Sequence, residues 1–299
     1  MNALNVSKTL YPFESHFADL GGLKAHYVAE GSAGDTVVMV HGNPTWSFYY
    51  RDLIKDLSRD HTVIAPDHIG CGMSDKPGDD RYSYTLSQRV DDLESILEQA
   101  GATEDLTLVL HDWGGMIGMA FAARHPDRVK RLVLLNTAAF HLPQTRSFHW
   151  QLKIARDTRF GAFLVRRFNA FSWIASKVCV KRKKLSPEIK AGYLAPYDNW
   201  DNRIATLRFV QDIPLEPKDP GYDIISGVEE ALPSFNEKPV LVCWGEQDFV
   251  FDLHFLAKWR RLLPDAEVHS FPDCGHYILE DATEEVTTLV RSFLESNPL

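Results

Sequence analysis

Leu106-Thr-Leu-Val-Leu-His-Asp-Trp-Gly-Gly-Met-Ile-Gly-Met-Ala120 decides how the rest of the chain is read. Five residues of buried-strand character, Leu106 to Leu110, run into His111 and Asp112, after which Gly114, Gly115 and Gly118 open a small-residue helix. A strand, a sharp turn and a helix in that order present the side chain at the turn for attack on a substrate. Here that side chain is the carboxylate of Asp112. A carboxylate nucleophile makes an alkyl ester with its substrate, and water must then cleave that ester.

The flanking sequence supplies the layers around this turn. Thr36-Val-Val-Met-Val40 is a continuous apolar run entering His41-Gly-Asn-Pro-Thr-Trp46, which predicts a central strand covered on both faces. Ser15 to Glu30 alternates and reads as antiparallel strands joined at Gly21-Gly22. Helical stripes over Ser47 to Ser58 and Ser87 to Ala100 bracket a strand at Thr62 to Ala65, which leads into Asp67-His-Ile-Gly-Cys-Gly-Met-Ser-Asp75. Val129 to Leu135 is a further apolar strand. Strand-helix alternation with reactive residues at strand exits indicates a mostly parallel sheet, its site outside the carboxyl ends of the strands.

From about Ala138 the rhythm breaks. Phe148 to Ile154, Phe160 to Val178, Ser186 to Tyr193 and Trp200 to Val210 look helical, punctuated by prolines 187, 196, 214, 217 and 220. Residues 138–224 therefore read as a helical cap inserted into one core, formed by 1–137 and 225–299. The cap run from Phe160 to Ala175 is rich in Phe, Trp and Ile, and fits either packing over a pocket mouth or use in self-association or by a partner. Lys181-Arg-Lys-Lys184 reads as a solvated helix flank, with a docking patch as the weaker reading. Sheet character returns at Pro239 to Trp244, followed by Gly245-Glu-Gln-Asp248, a helix from about Asp252 to Leu263, a strand from Glu267 to Phe271, the turn Pro272-Asp-Cys-Gly-His276 and a helix from about Thr283 to Leu294.

Composition narrows the class. At 299 residues and 44% apolar the chain buries a full core. A net charge of −9 argues against general affinity for nucleic acid or an anionic membrane, local basic contacts aside. Cys71, Cys179, Cys243 and Cys274 fall in no metal-knuckle or disulfide spacing, and Cys243, in an apolar strand, reads as core. Met1 to Lys8 lacks the apolar region of a signal peptide, and no apolar run reaches membrane-spanning length. A soluble cytoplasmic protein without a transmembrane segment is expected.

The strand exits carry a catalytic set. His276 is the expected general base and Asp248 the acid that orients it, with Glu246 and Asp252 as neighbouring rivals. Because a carboxylate is already charged, His276 has no need to deprotonate it; the histidine activates water against the ester of Asp112. The oxyanion forms on Asp112 itself, so the backbone N–H groups of Asn43 and Trp113 are the expected donors. The side chains of Asn43 and Trp113 also offer N–H donors to a departing halide or another developing anion. Their competing structural roles are turn formation before Pro44 and aromatic packing.

His41-Gly-Asn-Pro-Thr-Trp46, Asp67 to Asp75, His111-Asp-Trp-Gly-Gly115 and Gly275-His276 resemble the haloalkane dehalogenase family over nearly the whole chain. The resemblance implies an α/β-hydrolase fold, in which a mostly parallel mixed sheet is flanked by helices and carries a helical cap; the order Asp112, Asp248, His276 matches that fold's nucleophile, acid, histidine order. It implies Asp112 as nucleophile, His276 as base, Asp248 as acid and Asn43 with Trp113 as the halide pair. One branch of the family places its acid where this chain has Asn136, another replaces the Asn donor by a cap Trp, and the combination here resembles the third. The expected reaction is hydrolysis of a haloalkane to alcohol and halide, with an apolar small-molecule substrate, water and halide as partners, no nucleic acid, possible self-association, and no metal or organic cofactor required. The third branch also contains β-lactone decarboxylases of long-chain olefin biosynthesis, similar at all five positions and often assembled with other pathway enzymes; this is the alternative. Epoxide hydrolases share His-Gly-x-Pro, with Tyr193 and Tyr197 as candidate proton donors.

Overall fold

The computed structural model describes Leu4 and residues 6–299. The leading segment read as lacking an apolar signal region lies partly outside the described residues. Among the described residues eight strands form one sheet: β1 (Ser15–Leu20), β2 (Leu23–Glu30), β3 (Thr36–Val40), β4 (Thr62–Pro66), β5 (Leu106–Asp112), β6 (Val129–Thr137), β7 (Val240–Gly245) and β8 (Glu267–Phe271). Their spatial order is β1-β2-β4-β3-β5-β6-β7-β8. β1 with β2 and β2 with β4 are antiparallel; every later pairing is parallel. From β3 the chain goes first to β4 on one side and then to β5 on the other. The sheet thus reverses direction between β3 and β5, and a crevice opens at their carboxyl ends.

The helices in chain order are α1 (Arg51–Leu57), α2 (Leu86–Gln99), α3 (Trp113–Arg124), α4 (Trp150–Asp157), α5 (Arg159–Phe168), α6 (Ala170–Val178), α7 (Pro187–Leu194), α8 (Ile204–Gln211), α9 (Tyr222–Ala231), α10 (Leu253–Leu262), α11 (Ile278–Asp281) and α12 (Thr283–Ser296). Alternate strand residues feed two cores, as side chains of period two must. Val38, Val40, Leu108 and Leu110 pack with α2, α3, α9 and α10 on one face, whereas Val37, Met39, Val109 and Cys243 pack with α1 and α12 on the other. Both faces being apolar, the central strands read in sequence as unbroken apolar runs. Cys243 is fully buried, as its strand predicts. Among the described residues no helix is long and apolar enough to cross a membrane.

Helices α4 to α8 form the cap inserted between β6 and β7, with a small core of their own around Ala155, Val165, Leu207 and Val210. The single helix expected over Phe160 to Val178 is two. Asn169 breaks it in a left-handed conformation (φ 51°, ψ 34°) and donates from its side chain to the Tyr197 carbonyl at 3.1 Å. Asn tolerates that conformation better than other side-chain-bearing residues, and the apolar pattern continues through the break and conceals it. Helix α9 was not anticipated. It follows Gly221 (φ 80°) and buries Ile225 and Val228 in the core shared with α3, an i, i+3 pair too short to read as a stripe. Lys181 to Lys184 is the exposed flank of α6, lying in the loop after that helix, where the N–H groups of Lys181 and Arg182 donate to Asp281.

Cap and core are clasped by a buried ionic cluster. Arg51 meets Glu280 in a two-pronged pair (2.5 and 2.9 Å), and the Tyr193 hydroxyl of α7 donates to the same carboxylate at 2.5 Å. Removing one partner of such a pair strands the other without solvent. Glu280→Ala should cost about 3–5 kcal/mol of unfolding free energy and Tyr193→Phe only about 1–2 kcal/mol, measured by urea denaturation; equal costs would show that the clasp is not the unit described.

Candidate active site

Asp112 ends β5 and precedes the first residue of α3, in a backbone conformation (φ 53°, ψ −126°) that a side-chain-bearing residue adopts only under constraint. The constraint is close packing. A Cβ on Gly114 would overlap the Val40 carbonyl, and one on Gly42 would overlap the Asp112 carboxylate. The Thr137 hydroxyl donates to the Asp112 carbonyl at 2.5 Å, across a register shift between β5 and β6. The glycines and the neighbouring strand together aim the Asp112 side chain into the crevice.

The expected residues converge there. The Asn43 backbone N–H donates to Asp112 Oδ1 at 2.6 Å, and His276 Nε2 lies 3.5 Å from Asp112 Oδ2. On the far side of the ring, His276 Nδ1 donates to Asp248 Oδ2 at 2.7 Å. The Trp113 N–H opens α3 and so has no intrahelical acceptor. Trp113 is buried at the cavity wall, its ring 5.4 Å from that of Phe209. The Asn43 amide also faces the cavity, but one of its N–H groups is held by the Thr206 carbonyl of α8 at 3.1 Å, which fixes the amide's orientation. The two rival acids are elsewhere: Asp252 caps α10 and pairs with Arg146 at 2.5 Å, and among the described residues the ion pairs of His276 are with Asp112 and Asp248, not Glu246. Tyr193 is committed to Glu280, the Tyr197 hydroxyl reaches the Thr45 carbonyl at 3.4 Å, and neither lines the cavity.

Charge follows from this geometry. Burial disfavours the imidazolium of His276, yet the carboxylates of Asp248 and Asp112 outweigh it and raise its pKa to about 10. Burial likewise disfavours the Asp112 carboxylate, but His276 and the Asn43 N–H outweigh it and leave the pKa below the usual range. The resting site is thus an imidazolium between two carboxylates. His111 beneath it is neutral, pushed to about 3 by burial and the neighbouring His276 charge, and donates to the His276 carbonyl at 2.9 Å.

Two positioning residues were not anticipated. Asn136, left-handed at φ 38°, donates to Asp248 Oδ2 at 3.0 Å and exchanges hydrogen bonds with the Gly245 backbone. An Asn closing an apolar strand is the sequence signal for such a turn. Asp281 accepts from the Gly275 N–H at 2.7 Å and so ties the histidine turn to the loop after α6; nothing local in sequence marks it. Above the site lies a cavity of about 610 Å³, bounded by Phe140 and Phe251 of the core and by Leu164, Phe171, Ile174 and Val178 of the cap. A volume in this range, with few polar groups converging at one end, suits an apolar small molecule.

Comparison with known proteins gives the family of the chain. A family model described as alpha/beta hydrolase fold matches residues 35–283. The chain is 58% identical over 286 residues to a cis-3-alkyl-4-alkyloxetan-2-one decarboxylase of Shewanella oneidensis, covering 96% of this chain and 90% of that protein. It is 33% identical over 301 residues to a haloalkane dehalogenase of Mycobacterium marinum, covering 95% of this chain and 94% of that one. The crystal structure of haloalkane dehalogenase DbeA from Bradyrhizobium elkani superposes with a TM-score of 0.84 at 25% identity, over 95% of this chain and 98% of that chain. The chain belongs to the α/β-hydrolase family, in the branch that holds the haloalkane dehalogenases and the related β-lactone decarboxylases.

Proposed function

We propose that this protein decarboxylates cis-3,4-dialkyl β-lactones to cis-alkenes and carbon dioxide. The observation that carries the reading is the 58% identity to the Shewanella decarboxylase across 96% of this chain, against 33% to the Mycobacterium dehalogenase. Halide hydrolysis, the first expectation from the motifs, becomes the second reading. The paired donors of Asn43 and Trp113 at the cavity wall favour it, since they suit halide as well as carboxylate. Epoxide opening loses its support, because neither Tyr193 nor Tyr197 faces the cavity.

The geometry suits a balanced two-step reaction. Asp112 Oδ2 attacks the ring carbon bearing oxygen, the carbon–oxygen bond breaks, and the ring oxygen becomes part of a carboxylate that the Asn43 and Trp113 donors receive. The electron pair of the bond to that carboxylate then forms the alkene as Asp112 leaves, releasing carbon dioxide. Inversion at the attacked carbon followed by anti departure keeps the cis relation. No water or proton is consumed. The departing Asp112 carboxylate regains its hydrogen bond from the Asn43 N–H and its contact with the imidazolium, so the resting charges favour collapse of the ester. In the hydrolytic reading the same ester cancels the Asp112 charge, which lowers the pKa of His276 from about 10 and frees it to activate water.

Turnover in oxygen-18 water separates the two routes. With a long-chain cis-β-lactone, alkene should form while the Asp112 peptide stays unlabelled by mass spectrometry; with a bromoalkane, any turnover must place oxygen-18 in that peptide. Label entering Asp112 during lactone turnover, or no alkene from folded protein, would defeat the proposed chemistry. Asp112→Ala should abolish both reactions.

The charge state is testable by nuclear magnetic resonance of His276. In the wild type the ring should stay protonated at pH 8. In Asp112→Asn its midpoint should fall by at least about one unit, because one of the two raising carboxylates is gone. The stability that the raised pKa supplies is fully present below the unfolded value of about 6.5 and is lost as pH rises through about 10. The urea midpoint should therefore decline between pH 7 and pH 10 in the wild type and less in Asp112→Asn; an unchanged His276 midpoint in that variant would refute the coupling.

A further inference from the structure

The net charge of the chain conceals an asymmetry. Residues 150–194, from α4 through α7, carry eleven Lys and Arg against two acids, a net +9, while the rest of the chain carries −18. Arg156, Arg166 and Arg182 are consumed by ion pairs. Lys153, Arg159, Arg167, Lys177, Lys183 and Lys184 are exposed and pair with no acid among the described residues.

The same helices leave large apolar side chains in water. Trp150 is 65% exposed, Phe160 66% and Phe168 61%, with Phe163, Trp173 and Ile174 about half exposed. Phe160 and Phe163 are three apart on α5 and share one face; the Phe163 ring lies 5.9 Å from that of Phe168 and 6.3 Å from that of Trp200. Cations sit beside the rings, with Lys177 Nζ 3.5 Å from the Trp173 centroid and Arg167 5.6 Å from that of Phe168. This face runs into the cavity, for Ile154 and Ile174 line it and are also 37% and 50% exposed.

We propose that the outer face of α4 to α6 docks on an anionic phospholipid bilayer, which hands apolar substrate to the cavity between the Ile154 and Ile174 side chains. Aromatic and aliphatic side chains interleaved with Lys and Arg are what binding at a lipid interface requires. The charge pattern also orients the protein, since the basic face is drawn to the surface and the acidic core is repelled. A second copy is the poorer occupant: a two-fold contact of this face with itself would bring the two +9 segments together. The substrate hand-over rests on the proposed reading of an apolar substrate; the docking does not.

Vesicle flotation of the full chain tests the docking without any catalytic readout. At low salt the protein should float with phosphatidylcholine vesicles containing phosphatidylglycerol and remain behind with phosphatidylcholine alone. The pair Arg159→Glu and Arg167→Glu should weaken partitioning at least about twentyfold, from roughly fivefold per basic residue lost near the surface. Phe160→Ser with Phe163→Ser should weaken it at least about tenfold. Circular dichroism melts unchanged from the wild type would show that the variants fold; should the Phe pair unfold, the charge pair still decides. No flotation of the wild type, flotation indifferent to the charge pair, or sedimentation of lipid-free protein abolished by the Phe pair would overturn the proposal, the last by making the face a contact between copies.

Discussion

The backbone of Asp112 is the constraint on which the site depends. A left-handed φ with ψ near −126° costs about 1–3 kcal/mol for a residue with a side chain, and it persists because its neighbours leave no alternative. β3 and β5 are adjacent in parallel register, so Gly42 and Asn43 at one exit face Asp112 at the next. Gly114 lets α3 approach β3 closely enough to turn the chain, and Thr137 from β6 fixes the Asp112 carbonyl. The strained turn and the sheet's change of direction are one feature seen at two scales: the crevice exists because β4 and β5 lie on opposite sides of β3.

Around that turn the electrostatics are self-consistent. Three buried ionisable groups, Asp112, His276 and Asp248, would each be expensive alone. In line, they compensate one another; Asn136 shares Asp248 Oδ2 with His276, and the Val250 N–H satisfies Oδ1. Nothing in this arrangement demands water. In the proposed chemistry the same three charges would serve attack on carbon followed by collapse, with or without hydrolysis, so the choice of reaction would rest on substrate shape and on whether water reaches the ester.

The cap supplies that shape. It is fastened by Arg51, Glu280 and Tyr193 at one end and by the Asn43 amide on the Thr206 carbonyl at the other, so the side chain proposed to receive the anion is itself held by a cap helix. Its inner surface is apolar where it meets the cavity, and its outer surface combines aromatic rings with unpaired cations. A charge distribution this uneven is invisible in the overall −9.

The sequence by itself determined the sheet strands, the turn at Asp112, the insertion after β6 and the identities of Asn43, Trp113, Asp248 and His276 as residues at strand exits. These signals are local: a run of alternating or continuous apolar residues, or a glycine beside a polar residue, is read within a few positions. Tertiary structure alone decided the break at Asn169, the helix at Tyr222–Ala231, the withdrawal of Tyr193 and Tyr197 from the cavity, and the roles of Asn136 and Asp281. Each of these depends on partners far along the chain, 112 residues for Asn136 with Asp248 and 87 for Tyr193 with Glu280. A side chain's residue type states which bonds it can make; which of them it makes is set by the groups that packing brings within about 3 Å, and that choice is made only in the folded chain.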